Sequence, residues 1–456
     1  MKYTLLFLIM FMLGLSCRPA VVDEGTDETV ERVDQSPVTP PEGPESILHL
    51  SQQDQEISLA VALGEEWGQA LLKELVEQNS GTLNIEGVTK VGAILERELT
   101  SMGFETHWEH PEVNERRAGH LIAHRSGSSY RILMVVHMDT VFETGADGSA
   151  FSIEDGIARG PGVHDMKGGI VVALSALRAL HHAGELEGSS ITFIAIGDEE
   201  SPAQPLELDR KILRDYAEQS DYALVFEGRD DTHPGIVTGR RGISSWELFV
   251  TSGGGHSSRI LTSELGAGSA YESARIINML RTELVEPGLT VNIGYGAVGS
   301  QISDQQSGIV VQGKLNRVPE QALYKGDLRY TTFVQRDDAQ KRMQAIVEVG
   351  LLGTVADIRF MDLYPPMEAT PGNENLRDLM EQVSLMLTEE AQPAVDPIYR
   401  GASDACFISG TIPVIDGLGP SGGGDHSREE YVDLSSITPS ATRTAVLISR
   451  IFAMGC

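Results

Sequence analysis

The strongest constraint in this chain is a rhythm of short apolar runs separated by longer amphipathic ones. RILMVVH (131–137), SITFIAI (190–196) and DYALVFE (221–227) read as strands. GGIVVALSALRALHH (168–182) and PLELDRKILRDYAEQ (205–219) read as the helices between them. Such alternation predicts an α/β fold with a mainly parallel, buried sheet flanked by helices. Upstream, Leu59, Leu63, Trp67, Leu71 and Leu75 recur at the four-residue spacing of one helix face. Gly81 and Gly87 break that pattern before a second helix near 88–99.

The rhythm changes near Arg240. ISSWELFVTS (243–252) alternates like a half-exposed strand, and a helix is expected near 267–284. Strands follow near 290–298, 308–314 and 324–331, then a helix near 337–349. This order fits a smaller α+β unit, placed at 241–356. The α/β pattern then returns with a helix near 373–387, the strand IPVID (412–416) and a last helix near 438–453. The expectation is one catalytic-type domain, 47–240 and 357–456, interrupted by an insert.

Polar residues gather where strands end. IGDEES (196–201) places Asp198, Glu199 and Glu200 directly after an apolar strand. Adjacent like charges there need a cation beside them or a chemical task. His137 and Asp139 stand two apart at the end of another strand and share a face if the chain stays extended. A carboxylate so placed can orient a metal-bound histidine. RGPGVHDMKGGI (159–170) puts Asp165 in a glycine loop before a helix, without the spacing of a nucleotide-phosphate loop. His164 is a candidate ligand too, but Asp165 is the better bridging group. VFEG places Glu227 at the next strand end, and GPSGGGDHSREEY places His426 in a distant glycine loop.

In open α/β sheets, ligands bind at the carboxyl ends of strands. His137, Asp165, Glu200, Glu227 and His426 form a nitrogen–oxygen donor set that suits zinc. Three carboxylates are balanced by two divalent ions. Glu199, pointing away from its neighbour, is left free to take a proton from a metal-activated water.

These residues, in this order, resemble the dizinc metallo-exopeptidase/deacylase family of glutamate carboxypeptidase (carboxypeptidase G), aminoacylase and acetylornithine deacetylase type. The resemblance runs from about Leu71 onward through HMDTVF, GPGVHDMKGG, GDEES, FEG, GGGHSS, LNRVPE, GDLRY, GASDA and GDHSREEYV. It implies a zinc-exopeptidase-like catalytic domain and makes the insert a lid and dimerisation domain. His137, Asp165 and Glu227 would hold one zinc, and Asp165, Glu200 and His426 the other, with cobalt or manganese as substitutes. Asp139 would orient His137, and Glu199 would be the general acid/base. A cis peptide is expected after Asp165. His256 would stabilise the oxyanion, often at the neighbouring subunit's site. Asn316 and Arg329 would bind substrate, although Arg329 also suits a strand salt bridge with Asp327. Arg400 and Gly401 would line the pocket. His164 departs from the small residue found in many members.

The implied activity is zinc-dependent hydrolysis of a small peptide or an N-acyl amino acid. The N-terminal match most resembles the glutamate carboxypeptidase branch, releasing a C-terminal acidic residue. The alternatives are an N-acyl amino acid deacylase of acetylornithine or succinyl-diaminopimelate type, and a non-catalytic binding lipoprotein on the same fold. A homodimer is expected from the resemblance. Nucleic acid is excluded as a partner, because a formal charge of -31 offers no basic surplus to phosphates.

MKYTLLFLIMFMLGLSC (1–17) has the shape of an export signal ending at Cys17. It resembles a bacterial lipoprotein leader, with ordinary signal cleavage as the alternative. A lipid on Cys17 would be the membrane link, placing the protein in the periplasm or on the outer membrane. Residues 18–46, acidic and rich in proline, read as a disordered tether. Cys406 and Cys456 then remain and give no disulfide framework.

Overall fold

The computed structural model describes residues 50–455, apart from 129, 146–149, 306, 307 and 389. The leader with Cys17, the tether 18–46 and Cys456 lie outside the described residues.

The central sheet has six strands in the spatial order Glu105–Glu109, His120–Arg125, Ser190–Ile196, Arg131–His137, Tyr222–Val225 and Val414–Ile415. The first two junctions are antiparallel and the other three parallel. Side-chain alternation sends Ile132, Met134 and Val136 into one apolar layer and Leu133 and Val135 into the other. The first layer is closed by the helices Gly169–His182 and Ile437–Met454, the second by Lys211–Ala217 and the segment around Phe407. With both faces covered, these strands can be apolar throughout. Parallel register brings His137 beside Ile196, so the strand ends that precede the polar motifs lie together.

Two helical expectations change. The stripe from Leu59 to Leu75 belongs to two helices, Gln52–Leu63 and Glu65–Glu77, joined at Gly64. The junction shifts the phase, leaving Leu59 and Leu63 exposed while Ile57, Val61, Leu71 and Leu75 enter the core. The helix expected over 205–219 is split into Leu206–Asp209 and Lys211–Ala217 at Arg210, whose side chain is fully buried among acids.

The insert is a four-stranded antiparallel sheet in the order Thr290–Gly299, Gln321–Tyr330, Gly242–Ser252, Thr354–Tyr364. The helices Gly268–Glu283 and Phe333–Glu348 pack on it around Trp246, Leu248, Val250, Ile276 and Met343. The boundary expected at 356 falls inside its last strand. That strand pairs along Gly242–Ser252 and continues to Tyr364. Only Ile358 within it is buried, so it carries no apolar run to announce itself. The chain leaves and re-enters side by side, with Arg240 and Met367 exchanging backbone hydrogen bonds of 2.9 and 3.0 Å.

One glycine sets how closely the helix after Asp165 approaches the sheet. A Cβ on Gly169 would lie 1.9 Å from the Phe226 carbonyl oxygen at a strand end. Gly169→Ala should therefore force the helix start away from the site and cost about 1–3 kcal/mol by overpacking. Urea unfolding would read this as a lowered midpoint; an unchanged midpoint would mean that the backbone yields without cost.

Candidate active site

Asp139 ties the strand ends together. Its carboxylate accepts the N–H groups of Glu199 and Glu200 at 2.9 and 3.1 Å and the Thr82 hydroxyl at 2.6 Å. His137 Nδ1 lies 3.0 Å from the Asp139 carbonyl oxygen and 3.4 Å from its carboxylate. The residue expected to orient His137 thus also holds the backbone of the two glutamates.

The five expected metal ligands converge. His137 Nε2 lies 3.0 Å from Asp165 Oδ1 and 3.8 Å from Glu227 Oε1. His426 Nε2 lies 3.0 Å from Asp165 Oδ2 and 3.2 Å from Glu200 Oε2. Asp165 therefore offers one oxygen to each imidazole, as a bridging carboxylate would. The Asp165–Met166 peptide is cis.

The donor set fits divalent cations on two counts. Glu200 Oε1 is buried without a hydrogen-bond partner among the described residues. The cluster also draws positive charge. Hydrogen bonds that it donates to the Asp165 and Glu200 carboxylates push the His426 imidazole up to about 11. Burial pushes Glu227 up to about 8 and raises Glu199 well above the usual carboxylate range. Burial alone would raise Asp165 as well, but His137 and His426 hold it low. Groups that keep protons in this way mark places where a cation would displace them.

A cavity of about 400 Å³ opens on the cluster. Asp165, Glu199, Glu200, Glu227 and His426 line it, with Arg240, Arg400 and Gly401 on its walls. His256 is not part of it; the side chain is exposed on the insert, with Nδ1 2.8 Å from Ser258 Oγ. Asn316 is exposed and stands outside the cavity lining. Arg329 also lies outside it, its Nε donating to Asp327 Oδ2 at 3.0 Å, the salt-bridge arrangement.

Two residues support the site in ways that residue type alone did not show. Glu430 accepts the N–H groups of Gly162, His164 and Asp165 at 3.0, 2.8 and 3.0 Å, fixing the loop that presents Asp165. A carboxylate beside a glycine loop was visible, but its target lies more than 260 positions away. His164 is not drawn into the ligand cluster. Its Nδ1 lies 2.5 Å from Asp425 Oδ1, and its ring fills space that a Cβ on Gly228 or Gly422 would occupy.

Fold and site together define a metal-dependent hydrolase. The family model described as peptidase family M20/M25/M40 matches residues 133–450, and the chain belongs to that family. It is 27% identical over 389 residues to carboxypeptidase G2 of Pseudomonas sp. (strain RS-16), covering 83% of this chain and 87% of that one. It is likewise 27% identical over 389 residues to the succinyl-diaminopimelate desuccinylase of Ralstonia nicotianae, covering 81% and 95%. Among solved structures, aminopeptidase PepT from Bacillus cereus has the same fold at TM-score 0.69 and 19% identity, covering 85% of this chain and 98% of that one.

Beneath the cavity lies a second buried charge cluster, which answers for Asp198. Arg210 donates to Asp198 Oδ1 at 2.9 Å, to Asp404 Oδ1 at 2.7 Å and to Asp209. His120, Asp198 and Asp209 also approach metal-ligand spacing, but the guanidinium already supplies the cation. His120 Nδ1 accepts the Gly197 N–H at 3.3 Å, which requires a neutral ring, and burial lowers its pKa to about 4. Its Nε2 stands 3.9 Å from Asp209, beyond hydrogen-bond reach, and a neutral ring makes no ion pair there. The unfolded chain then takes up a proton near 6.5 before the folded one does. The resulting stability is present above that pH and lost as pH falls toward 4. Urea unfolding of wild type and His120→Gln should show the wild-type advantage shrinking by about 3 kcal/mol across that window. A pH-independent difference would mean that the folded protein carries His120 charged.

Proposed function

We propose that the protein is a zinc-dependent exopeptidase of glutamate carboxypeptidase type, releasing a C-terminal acidic residue from a small peptide or N-acyl amino acid. The observation that carries this reading is the position of Glu199. Its carboxylate is on the cavity wall beside Asp165, Glu200, Glu227 and His426, while its N–H is pinned by Asp139. His137, Asp165 and Glu227 would hold one zinc, and Asp165, Glu200 and His426 the other. When bound, the ions would polarise the scissile carbonyl and lower the pKa of the attacking water. Glu199 then accepts a proton from that water and delivers it to the amide nitrogen as the C–N bond breaks. Burial raises the Glu199 carboxyl, which matches it to holding a proton between these two transfers.

Deacylation of N-acyl amino acids is the second reading, supported by the match to a desuccinylase along most of that enzyme's length. A non-catalytic binding protein accounts poorly for a complete ligand set together with a free carboxylate. His256, Asn316 and Arg329, away from the cavity of their own chain, would act across a homodimer. The apolar leader ending at Cys17 favours export as a lipid-anchored protein, where released amino acids would serve scavenging.

The test is a hydrolysis panel on the zinc-loaded protein, comparing C-terminal glutamate with other C-terminal residues, N-acetylornithine and succinyl-diaminopimelate. Preference for C-terminal glutamate supports the carboxypeptidase reading; preference for either acyl substrate replaces it with deacylation. Glu199→Gln should keep the metal content of the wild type and lose at least about a hundredfold in kcat. Turnover at the wild-type rate in that variant would overturn the assigned proton transfer.

A further inference from the structure

The Glu199 carboxylate makes no hydrogen bond among the described residues, so its aim is set by its backbone. That backbone lies in neither strand nor helix; residues 197–205 are irregular. Two side chains take over the work that a ladder would do. Asp139 accepts the Glu199 N–H at 2.9 Å, and the Tyr364 hydroxyl donates to the Glu199 carbonyl at 3.1 Å. With both peptide planes held, the direction of the Cα–Cβ bond is fixed.

The two anchors come from different parts of the molecule. Asp139 follows a strand of the central sheet, whereas Tyr364 ends the last strand of the insert. Leu363 is an extra residue in the pairing of that strand, between Asp362 opposite Ser244 and Tyr364 opposite Ile243. Such a bulge bends the strand that carries it. Beyond the bulge the Tyr364 ring packs on the catalytic domain's second apolar layer, 5.2 Å from the Phe407 ring centre. Packing accounts for the ring, and a phenylalanine would fill the same space. It does not account for the hydroxyl, which reaches a carbonyl 165 positions earlier in the chain. Burial raises the Tyr364 phenol well above its usual value, so the hydroxyl stays a donor.

We propose that Tyr364 is a positioning residue for Glu199, by which the insert fixes the peptide that aims this carboxylate at the ligand cluster. The inference rests on Glu199 being the proton carrier only where turnover is the readout.

Tyr364→Phe in the zinc-loaded full-length protein tests it. On the glutamyl substrate cleaved best in the hydrolysis panel, kcat should fall about 3- to 10-fold, the loss of one neutral hydrogen bond. KM should change less than about twofold, because nothing that holds substrate is removed. In the Glu199→Gln background the same substitution should cost less than about twofold, since a residue acting through Glu199 has nothing left to position. Hydrogen exchange of the peptide 197–203 should quicken about 3- to 10-fold, while that of 414–419 stays as in the wild type. Tyr364→His, which keeps a ring and a donor, should lie between wild type and Tyr364→Phe, and it decides the matter if the phenylalanine variant does not fold. A kcat within twofold of the wild type, additive losses in the two backgrounds, or unchanged exchange would overturn the assignment. If the wild type hydrolyses no amide, the hydrolase reading falls and exchange alone decides: faster exchange at 197–203 upholds the role of Tyr364, and unchanged exchange removes it.

Discussion

The site depends on one carboxylate, that of Asp139. Strands Arg131–His137 and Ser190–Ile196 run parallel, so their ends share an edge, but the pairing ends at His137 and Ile196, before the carboxylates begin. Asp139 continues the connection by accepting two N–H groups from the neighbouring strand's exit and one hydroxyl from Thr82. It is fully buried, and those bonds offset the cost of that burial. Because the same residue touches His137 Nδ1, imidazole orientation and glutamate placement are set together. A shift in either strand would therefore be transmitted to the His137 imidazole and to the backbone of Glu199.

Three successive carboxylates survive beside one another because each meets a different environment. Asp198 turns inward to Arg210. Glu199 faces the cavity, with its backbone held at both ends by Asp139 and Tyr364. Glu200 turns to His426 and keeps one buried oxygen without a partner among the described residues. A single cation could not serve all three. The fold divides them between an internal guanidinium, which is covalently guaranteed, and a set of donors that suits exchangeable ions. Asp198 therefore gains a permanent partner, while Glu200 sits where metal can bind.

The strand ends were legible in the sequence because buried parallel strands are continuous apolar runs, and the residues following them had nowhere else to go. The bounds of Arg131–His137 and Ser190–Ile196 could be read directly. The ligand set was legible from residue type and position, since imidazoles and carboxylates at successive strand ends have few structural uses. What escaped was set by tertiary contact. Arg210 looked like one more charge on an amphipathic helix, yet the helix is interrupted there and its side chain reaches Asp198 and Asp404 as well as its neighbour Asp209. Nothing in SREEY singles out Glu430, and only folding delivers it to three backbone donors. The last strand of the insert was missed because an exposed edge strand lacks the apolar pattern that marks the others.

The insert meets the site through two contacts of unequal strength. Tyr364, where its last strand ends, donates its hydroxyl to the Glu199 carbonyl at 3.1 Å, a neutral bond worth about 1 kcal/mol. Arg240, just before its first strand, is bound to Asp416 by a buried, charge-assisted bond of 2.7 Å. Displacement of the insert about this junction would release the tyrosine before the arginine. The wall built on Arg240, Gly401 and Arg400 would then stay in place while the restraint on the Glu199 backbone relaxes. The cavity wall behind Arg240 and the backbone of Glu199 are thus tied to the same junction by bonds of different kind, one charge-assisted and one neutral.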